Sequence, residues 1–154
     1  MYFYKSIGGT HQSFVPSTEV PDRSLSFMEE ELQYIATFDS NGQSLDGSKN
    51  YKLHLPPNIP ASNFWSVIVY DKQTRLMIST DQPWPSVHSQ GSKLLVNKNG
   101  SIDVWFGPEP PPGNKTNWIK TIHEKGWNMI LRLYYPMETW FDKTWRPGEI
   151  EQVK

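Results

Sequence analysis

"FWSVIVYD", residues 64–71, and "WNMILRLYY", residues 127–135, decide the fold. Apolar residues occupy both alternate positions in each stretch, and successive side chains of a β-strand point to opposite faces of the sheet. A strand that is apolar on both faces is typical of the centre of a sheet, covered on either side. We therefore predict that the two segments are neighbouring central strands, with Phe64, Trp65 and Tyr70 mainly in the core.

Shorter apolar runs separated by turn signals make up most of the remaining chain. They cover residues 32–38, 51–55, 75–80, 93–97 and 101–107. Asn99-Gly100 is a strong hairpin signal between the last two of these runs. Short strands with hardly any helix and no repeat period predict an all-β chain. Among such folds we favour a jelly-roll-like antiparallel β-sandwich.

The first 31 residues differ in pattern from the remainder. They are rich in polar and breaker residues without a period, and "SLSFMEEEL" at 24–32 could form a short helix. We expect residues 1–31 to be a short irregular N-terminal arm and residues 32–154 to be the sandwich domain. The length of 154 residues suffices for one core without disulfides or metals.

Composition excludes several classes of function. The 15 Lys and Arg residues against 16 Asp and Glu residues give a net charge of -1, which argues against a nucleic-acid partner. The absence of cysteine excludes thiolate chemistry and disulfides. No apolar run is long enough to span a membrane, and the start of the chain does not resemble a signal peptide. We expect a soluble chain and leave its compartment open.

Four polar residues are the candidates for chemistry, although none has a catalytic spacing. His54, Asp71 and Asp81 could gather at the ends of neighbouring strands as a composite acid or metal site. The alternative for the two aspartates is that each caps backbone N–H groups where a strand ends. The histidine spacing predicts no metal site, and no cofactor is expected.

Arg132 is the fourth candidate, because it interrupts a strand that is otherwise apolar on both faces. An unpaired guanidinium there would be costly, so a partner is required. Asp103 or Asp142 could supply that partner through a bidentate contact. The same arginine could instead hold a ligand carboxylate or phosphate.

Several tryptophans lie in loops or near the end of the chain. Trp84, Trp118 and Trp145 are the candidate binding residues, because exposed tryptophans can stack on sugar rings or bases. A carbohydrate is thus a candidate ligand. The alternative, which applies to Trp140 as well, is that these rings plug the ends of the sandwich or are buried in a contact between subunits.

Five separated motifs resemble one family of bacterial proteins. They are "LHLPPNIPA", "NFWSVIVYDKQTRLMISTDQPWPS", "VNKNGSIDVWFGPEPPPGNKTNWI", "KGWNMILRLYYP" and "FDKTWRPGEIE". In this order they resemble the C-terminal domain of the domain of unknown function 1214 family, over residues 33–154. The resemblance implies a jelly-roll-like sandwich, usually preceded by a β-rich domain of family 1254, which this chain lacks. At His123-Glu124 the chain departs from the Pro-Gly of the family, so the tight turn there is in doubt.

Two hypotheses about function follow from these observations. The first is an uncharacterised binding or assembly module, not a self-sufficient enzyme, that forms a homo-oligomer or meets a family-1254-type domain. The second is a hydrolase that acts on polysaccharide or nucleic acid through His54, Asp71, Asp81 and Arg132. Convergence of the four side chains in a cleft would favour the second hypothesis, and dispersal would favour the first.

Overall fold

The computed structural model describes residues 2–7, 11–16, 31–91 and 93–154, with backbone alone in the first two ranges. One four-residue helix, α1, covers Glu138–Phe141. The strands in chain order are β1 Tyr2–Ile7, β2 His11–Pro16, β3 Glu31–Ala36, β4 Asn50–Leu55, β5 Ala61–Asp71, β6 Ser86–His88, β7 Ile102–Gly107, β8 Trp118–Lys120, β9 Trp127–Pro136 and β10 Ile150–Val153.

The strands form two sheets. The six-stranded sheet has the order β2-β1-β3-β9-β5-β6, and the four-stranded sheet has the order β10-β4-β7-β8. All pairings are antiparallel except that of β7 with β8, which is parallel. From β3 onward the chain passes repeatedly from one sheet to the other. The predicted all-β sandwich is confirmed at this level.

The two segments that decide the fold are neighbours, as predicted. β5 and β9 are antiparallel, with Val67 opposite Leu131. Both of these side chains are fully buried. Phe64 and Tyr70, on the other face of β5, are only half-buried. The expectation of full cover on both faces is therefore wrong, because in a two-layer sandwich each sheet packs one face against the other sheet.

Aromatic side chains join the two sheets in the core. The ring of Trp127, on β9, lies 4.8 Å from the ring of Phe106 on β7. It also lies 5.6 Å from Tyr51 on β4, in an edge-to-face arrangement. All three side chains are at most 1% exposed. This contact fixes the centre of the six-stranded sheet over the middle of the four-stranded sheet.

Two predicted strands are loops. Residues 75–80 contain only a single bridge, between Met77 and Tyr70. Asp71 Oδ1 accepts hydrogen bonds from the N–H groups of Gln73 and Thr74, which turns the chain away from β5. The three-residue strand β6, which the sequence did not predict, takes the place beside β5.

The predicted hairpin at 93–107 is also wrong. Its tip is a turn, with Gly100 at a φ of 87°, but residues 93–97 form no strand. β7 pairs with β4 and β8 instead. Since Leu95 and Val96 are exposed, their apolar character gave a false strand signal.

Both ends of the chain differ from expectation. Residues 2–7 and 11–16 are strands β1 and β2 where an irregular arm was expected, and β1 pairs with β3, which supplies its backbone partners. The predicted helix at 24–32 lies outside the described residues except for its last two, which belong to β3. The division into domains at residue 31 stays a prediction. Near the other end, the chain forms α1, a short helix that the sequence did not predict, before β10.

Within the described ranges, no helix has the length and apolar character needed to cross a bilayer.

Candidate functional site

The edge of the four-stranded sheet at β8 is closed by a side chain. β8 has a strand partner on one side only, so its outer N–H and C=O groups need other partners. Gln82 Nε2 donates to the carbonyl oxygen of Trp118 at 2.9 Å, and Gln82 Oε1 accepts from the N–H of Lys120 at 2.9 Å. One amide thus takes the place of a strand and fastens the loop before β6 to β8.

A buried amide holds a second loop close to the start of β8. Asn117 is 1% exposed, and its Oδ1 accepts from the N–H of Leu95 at 3.1 Å. Its Nδ2 donates to the carbonyl oxygens of Leu95 at 2.8 Å and Asp103 at 3.1 Å. Every polar atom of this amide is therefore used to tie residues 93–97 to β7.

The loop that Asn117 anchors borders a cavity together with β6. Its volume is about 220 Å³, and its lining comes from β6, from the loop after β6 and from the residue that precedes Asn117. The lining residues are Ser86, Val87, His88, Gly91, Lys93, Leu94 and Thr116. His88 Nδ1 is buried and has no hydrogen-bond partner within the described part of the chain. The cavity therefore lies between β6, an edge strand of the six-stranded sheet, and the loop that Asn117 anchors.

These loops carry most of the exposed apolar side chains in the described part of the chain. Of the eight large apolar residues that are exposed there, five belong to the two loops. They are Leu76 at 68%, Met77 at 41%, Trp84 at 75%, Leu95 at 45% and Val96 at 56% exposure. We call these five residues the β8-flank surface.

The structure gives His54 a partner that was not considered for it. His54 Nδ1 lies 2.7 Å from Asp103 Oδ1 on the neighbouring strand β7. Burial by itself raises the pKa of Asp103, but the hydrogen bonds from His54 and Asn97 outweigh it and leave the pKa below its ordinary value. Asp103 is thus engaged on the four-stranded sheet and does not pair with Arg132 as predicted.

Asp71 and Asp81 take separate structural partners. The backbone N–H groups of Thr74 and Gln73 donate to Asp71 and hold its pKa below the ordinary value, as the capping alternative predicted. Lys120 Nζ lies 2.7 Å from Asp81 Oδ1, and this hydrogen bond lowers the pKa of Asp81. Asp81 therefore reinforces the contact that Gln82 makes with β8.

Arg132 has partners on its own sheet. Its Nη2 donates to the hydroxyl of Tyr70 at 3.0 Å, and its Nε lies 3.5 Å from Glu31 Oε1. The second contact is an ion pair, but its atoms are not aligned for a hydrogen bond. The buried Nε therefore has no hydrogen-bond partner in the described part of the chain. The predicted need for a partner is met, but the predicted partners, Asp103 and Asp142, were wrong.

None of these contacts joins the four catalytic candidates to one another. His54 lies on the four-stranded sheet, while Arg132 lies on the six-stranded sheet. Across the described ranges, no group of three or more His, Asp or Glu side chains is arranged to hold a metal ion. The residues that organise the site, Gln82 and Asn117, gave no sequence signal, because an isolated amide in a polar loop has no pattern.

The tryptophans divide between core and surface. Trp145 is 6% exposed, and its indole N–H donates to the carbonyl oxygens of Pro56 and Pro57. It is a plug, as the alternative predicted, and not an open binding ring. Trp118 is half-buried and donates to the Gly107 carbonyl oxygen. Trp84 is exposed, and Trp140 is buried at 1% exposure.

The chain is thus a β-sandwich module. At the β8 edge, the two loops anchored by Gln82 and Asn117 present an apolar surface. The chain belongs to the DUF1214 family, described as proteins of unknown function, whose family model matches residues 30–138. The resemblance inferred from the five motifs is thereby confirmed. A search of curated proteins gives no match.

Two solved structures are similar to the chain. The VPA0106 protein from Vibrio parahaemolyticus is 28% identical with a TM-score of 0.69, over 81% of this chain and 31% of that one. An uncharacterised protein from Burkholderia cenocepacia is 14% identical with a TM-score of 0.54, over 99% of this chain and 34% of that one, and shows the fold alone. The chain therefore spans about a third of the length of these structures.

Proposed function

We propose that the chain is a jelly-roll-like assembly module that associates with a second copy of itself through the β8-flank surface. The observation that carries the proposal is the concentration of exposed apolar side chains in the two loops fastened to β8. Contiguous apolar surface on a soluble protein marks contact sites, whereas single exposed apolar residues need no explanation. The repeated passage of the chain between its sheets supports the jelly-roll-like connectivity.

The anchoring of the loops supports the same proposal. Loops that are ordered before binding lose less conformational entropy when a contact forms. Gln82 fixes one loop through two hydrogen bonds to β8. Asn117 makes two hydrogen bonds to the other loop, at Leu95, and a third to Asp103 on β7. Trp84, which sits two residues after Gln82, is of the residue type most enriched among residues that dominate binding energy. In longer proteins such as the matched structures, we propose that the same surface meets a further domain.

The hydrolase hypothesis ranks second. It requires His54, Asp71, Asp81 and Arg132 to act together, and each of them has a separate structural partner. It would regain support if polysaccharide or nucleic acid were cleaved by the wild-type chain and spared by a His54→Ala variant.

Sedimentation equilibrium over the micromolar range tests the assembly proposal. We expect the wild-type chain to form a dimer or larger oligomer, and the double variant Trp84→Ser, Val96→Ser to be a monomer. Phe38→Ser is the matched control, because Phe38 is 51% exposed but lies outside the two loops. A wild-type chain that is monomeric throughout, or a Phe38→Ser variant that dissociates equally, would contradict the proposal.

A further inference from the structure

A groove on the four-stranded sheet contains none of the five residues of the β8-flank surface. It has a volume of about 300 Å³ and is bounded by β4, β7, β10 and the proline-rich segment after β7. Its lining residues are Asn50, Trp105, Phe106, Glu109, Pro110, Pro111, Pro112, Val153 and Lys154. The volume is at the lower end of the range of small-molecule sites, about 300 to 1,000 Å³, and so suits a ligand of one or two rings.

The walls of the groove are rigid and largely apolar. Trp105 is half-buried on the outer face of β7 and contributes an indole ring. Lys52 Nζ lies 5.7 Å from the centroid of that ring and restrains it by a cation–π contact. Pro110, Pro111 and Pro112 have fixed φ angles and no N–H group, so they offer ring carbons and carbonyl acceptors only. A ligand that fits must present an apolar face together with hydrogen-bond donors.

Two buried polar atoms of the lining residues have no hydrogen-bond partner in the described part of the chain. One is the indole donor Nε1 of Trp105, and the other is the amide acceptor Oδ1 of Asn50. Leaving such a group unpaired costs about 1 to 3 kcal/mol. Both atoms are shielded from solvent, so a ligand reaches them only when the two side chains rotate toward the groove. A hydroxyl group both donates and accepts, so neighbouring hydroxyls on one ligand could then pair with both atoms.

A glycine keeps Asn50 in place beside the groove. A Cβ atom at Gly107 would collide with Asn50 Oδ1. Only glycine therefore lets the amide lie against β7, at the point where the proline-rich segment begins. Glu109, which is exposed, adds a carboxylate acceptor at the rim for further hydroxyl donors.

We propose that this groove is a saccharide-binding site that takes one or two neutral sugar rings. The sugar stacks its C–H face on Trp105, and its hydroxyls bond to Asn50, Glu109 and the proline carbonyl oxygens. The inference is independent of the assembly proposal, because the groove contains no residue of the β8-flank surface. It also moves the carbohydrate contact from the predicted Trp84, Trp118 and Trp145 to Trp105, which the sequence did not single out.

Titration of the isotope-labelled chain with a panel of neutral mono- and disaccharides, followed by NMR of the indole N–H signals, tests this site. The chain has 7 tryptophans, and the Trp105 signal is assigned by its loss in Trp105→Phe. We expect a saturable shift of that signal with at least one sugar. In Trp105→Ala, followed through backbone amide signals, we expect binding weaker by about ten-fold, the scale of one lost stacking contact. Trp84→Ala is the matched control and should bind as the wild type does.

Glu109→Gln is a second variant that tests the site even if Trp105→Ala does not fold. Glu109 is exposed, so this change leaves the fold intact, and we expect sugar binding to weaken several-fold. A Trp105 signal that no sugar moves would overturn the proposal, as would equal loss of binding in Trp84→Ala. Saturable binding of a proline-rich peptide in the groove, without any response to sugars, would also overturn it.

Discussion

The two edges of the four-stranded sheet are protected in opposite ways. At β10 the exposed side chains are Glu151 and Gln152, and polar residues on an edge strand discourage pairing with another chain. At β8 the edge is closed by Gln82 and flanked by the loop that Asn117 anchors, and these loops expose apolar side chains. Under the proposed function, the edge at β10 stays solvated and the edge at β8 is covered by a second copy of the chain.

Both edges depend on one core, so the largest effect is expected from breaking that core. Trp127→Ala removes the ring that packs between Tyr51 and Phe106. We expect the free energy of unfolding to fall by about 3 to 5 kcal/mol, the usual range for a buried Trp→Ala change. Urea unfolding followed by circular dichroism measures it. Trp84→Ala is the control and should change stability by less than about 0.5 kcal/mol. Equal effects of the two variants would contradict the assignment of Trp127 to the joint between the sheets.

A smaller effect on stability is expected from removing the side chain that anchors the loop at the β8 edge. Asn117→Ala removes three hydrogen bonds to backbone groups of Leu95 and Asp103, all of them partly buried. We expect a loss of about 1 to 3 kcal/mol in the free energy of unfolding, together with weaker self-association in sedimentation equilibrium. The matched change at the other edge is Gln152→Ala, for which neither quantity should move. Undiminished association in Asn117→Ala would show that the anchored loop is not part of the contact.

The smallest effect concerns the charge pair at β8. Because Lys120 lowers the pKa of Asp81, the pair stabilises the folded chain above the unfolded pKa of Asp, about 3.9. That contribution is lost as the pH falls through the lower, folded-state pKa. We expect the melting temperature of the wild type to fall slightly more than that of Asp81→Asn between about pH 6 and pH 2 at low salt. Parallel curves would show that the pair adds nothing to this edge.

The central strands could be predicted because their signal is local. The residues at 64–71 and 127–135 alternate in a way that needs no knowledge of neighbours, and both became long strands. The false strands at 75–80 and 93–97 are also apolar runs. Leu76, Met77, Leu95 and Val96 are nevertheless exposed and only Ile78 is buried, because burial depends on which strands compete for the sheet and not on the run itself.

Pairing was harder to predict because it is not local. Asn99-Gly100 was interpreted as the tip of a hairpin, but β7 pairs with β4 and β8, which lie farther away along the chain. Asp103 or Asp142 was predicted as the partner of Arg132, yet Glu31 reaches it because β3 and β9 are neighbours. The assignment of residue 31 to an arm hid that partner. Gln82 and Asn117 were missed for a related reason, because each side-chain amide bonds to residues that are distant along the chain.

The position of β9 has a consequence for the order in which the chain can fold during synthesis. β9 lies between β3 and β5 in the six-stranded sheet, yet the ribosome makes it long after both of them. Until Trp127–Pro136 emerges, β3 and β5 have no strand to join them, and their apolar faces remain open to solvent. A nascent chain halted before this segment would thus be a substrate for chaperones, and folding would wait for one late hydrophobic strand.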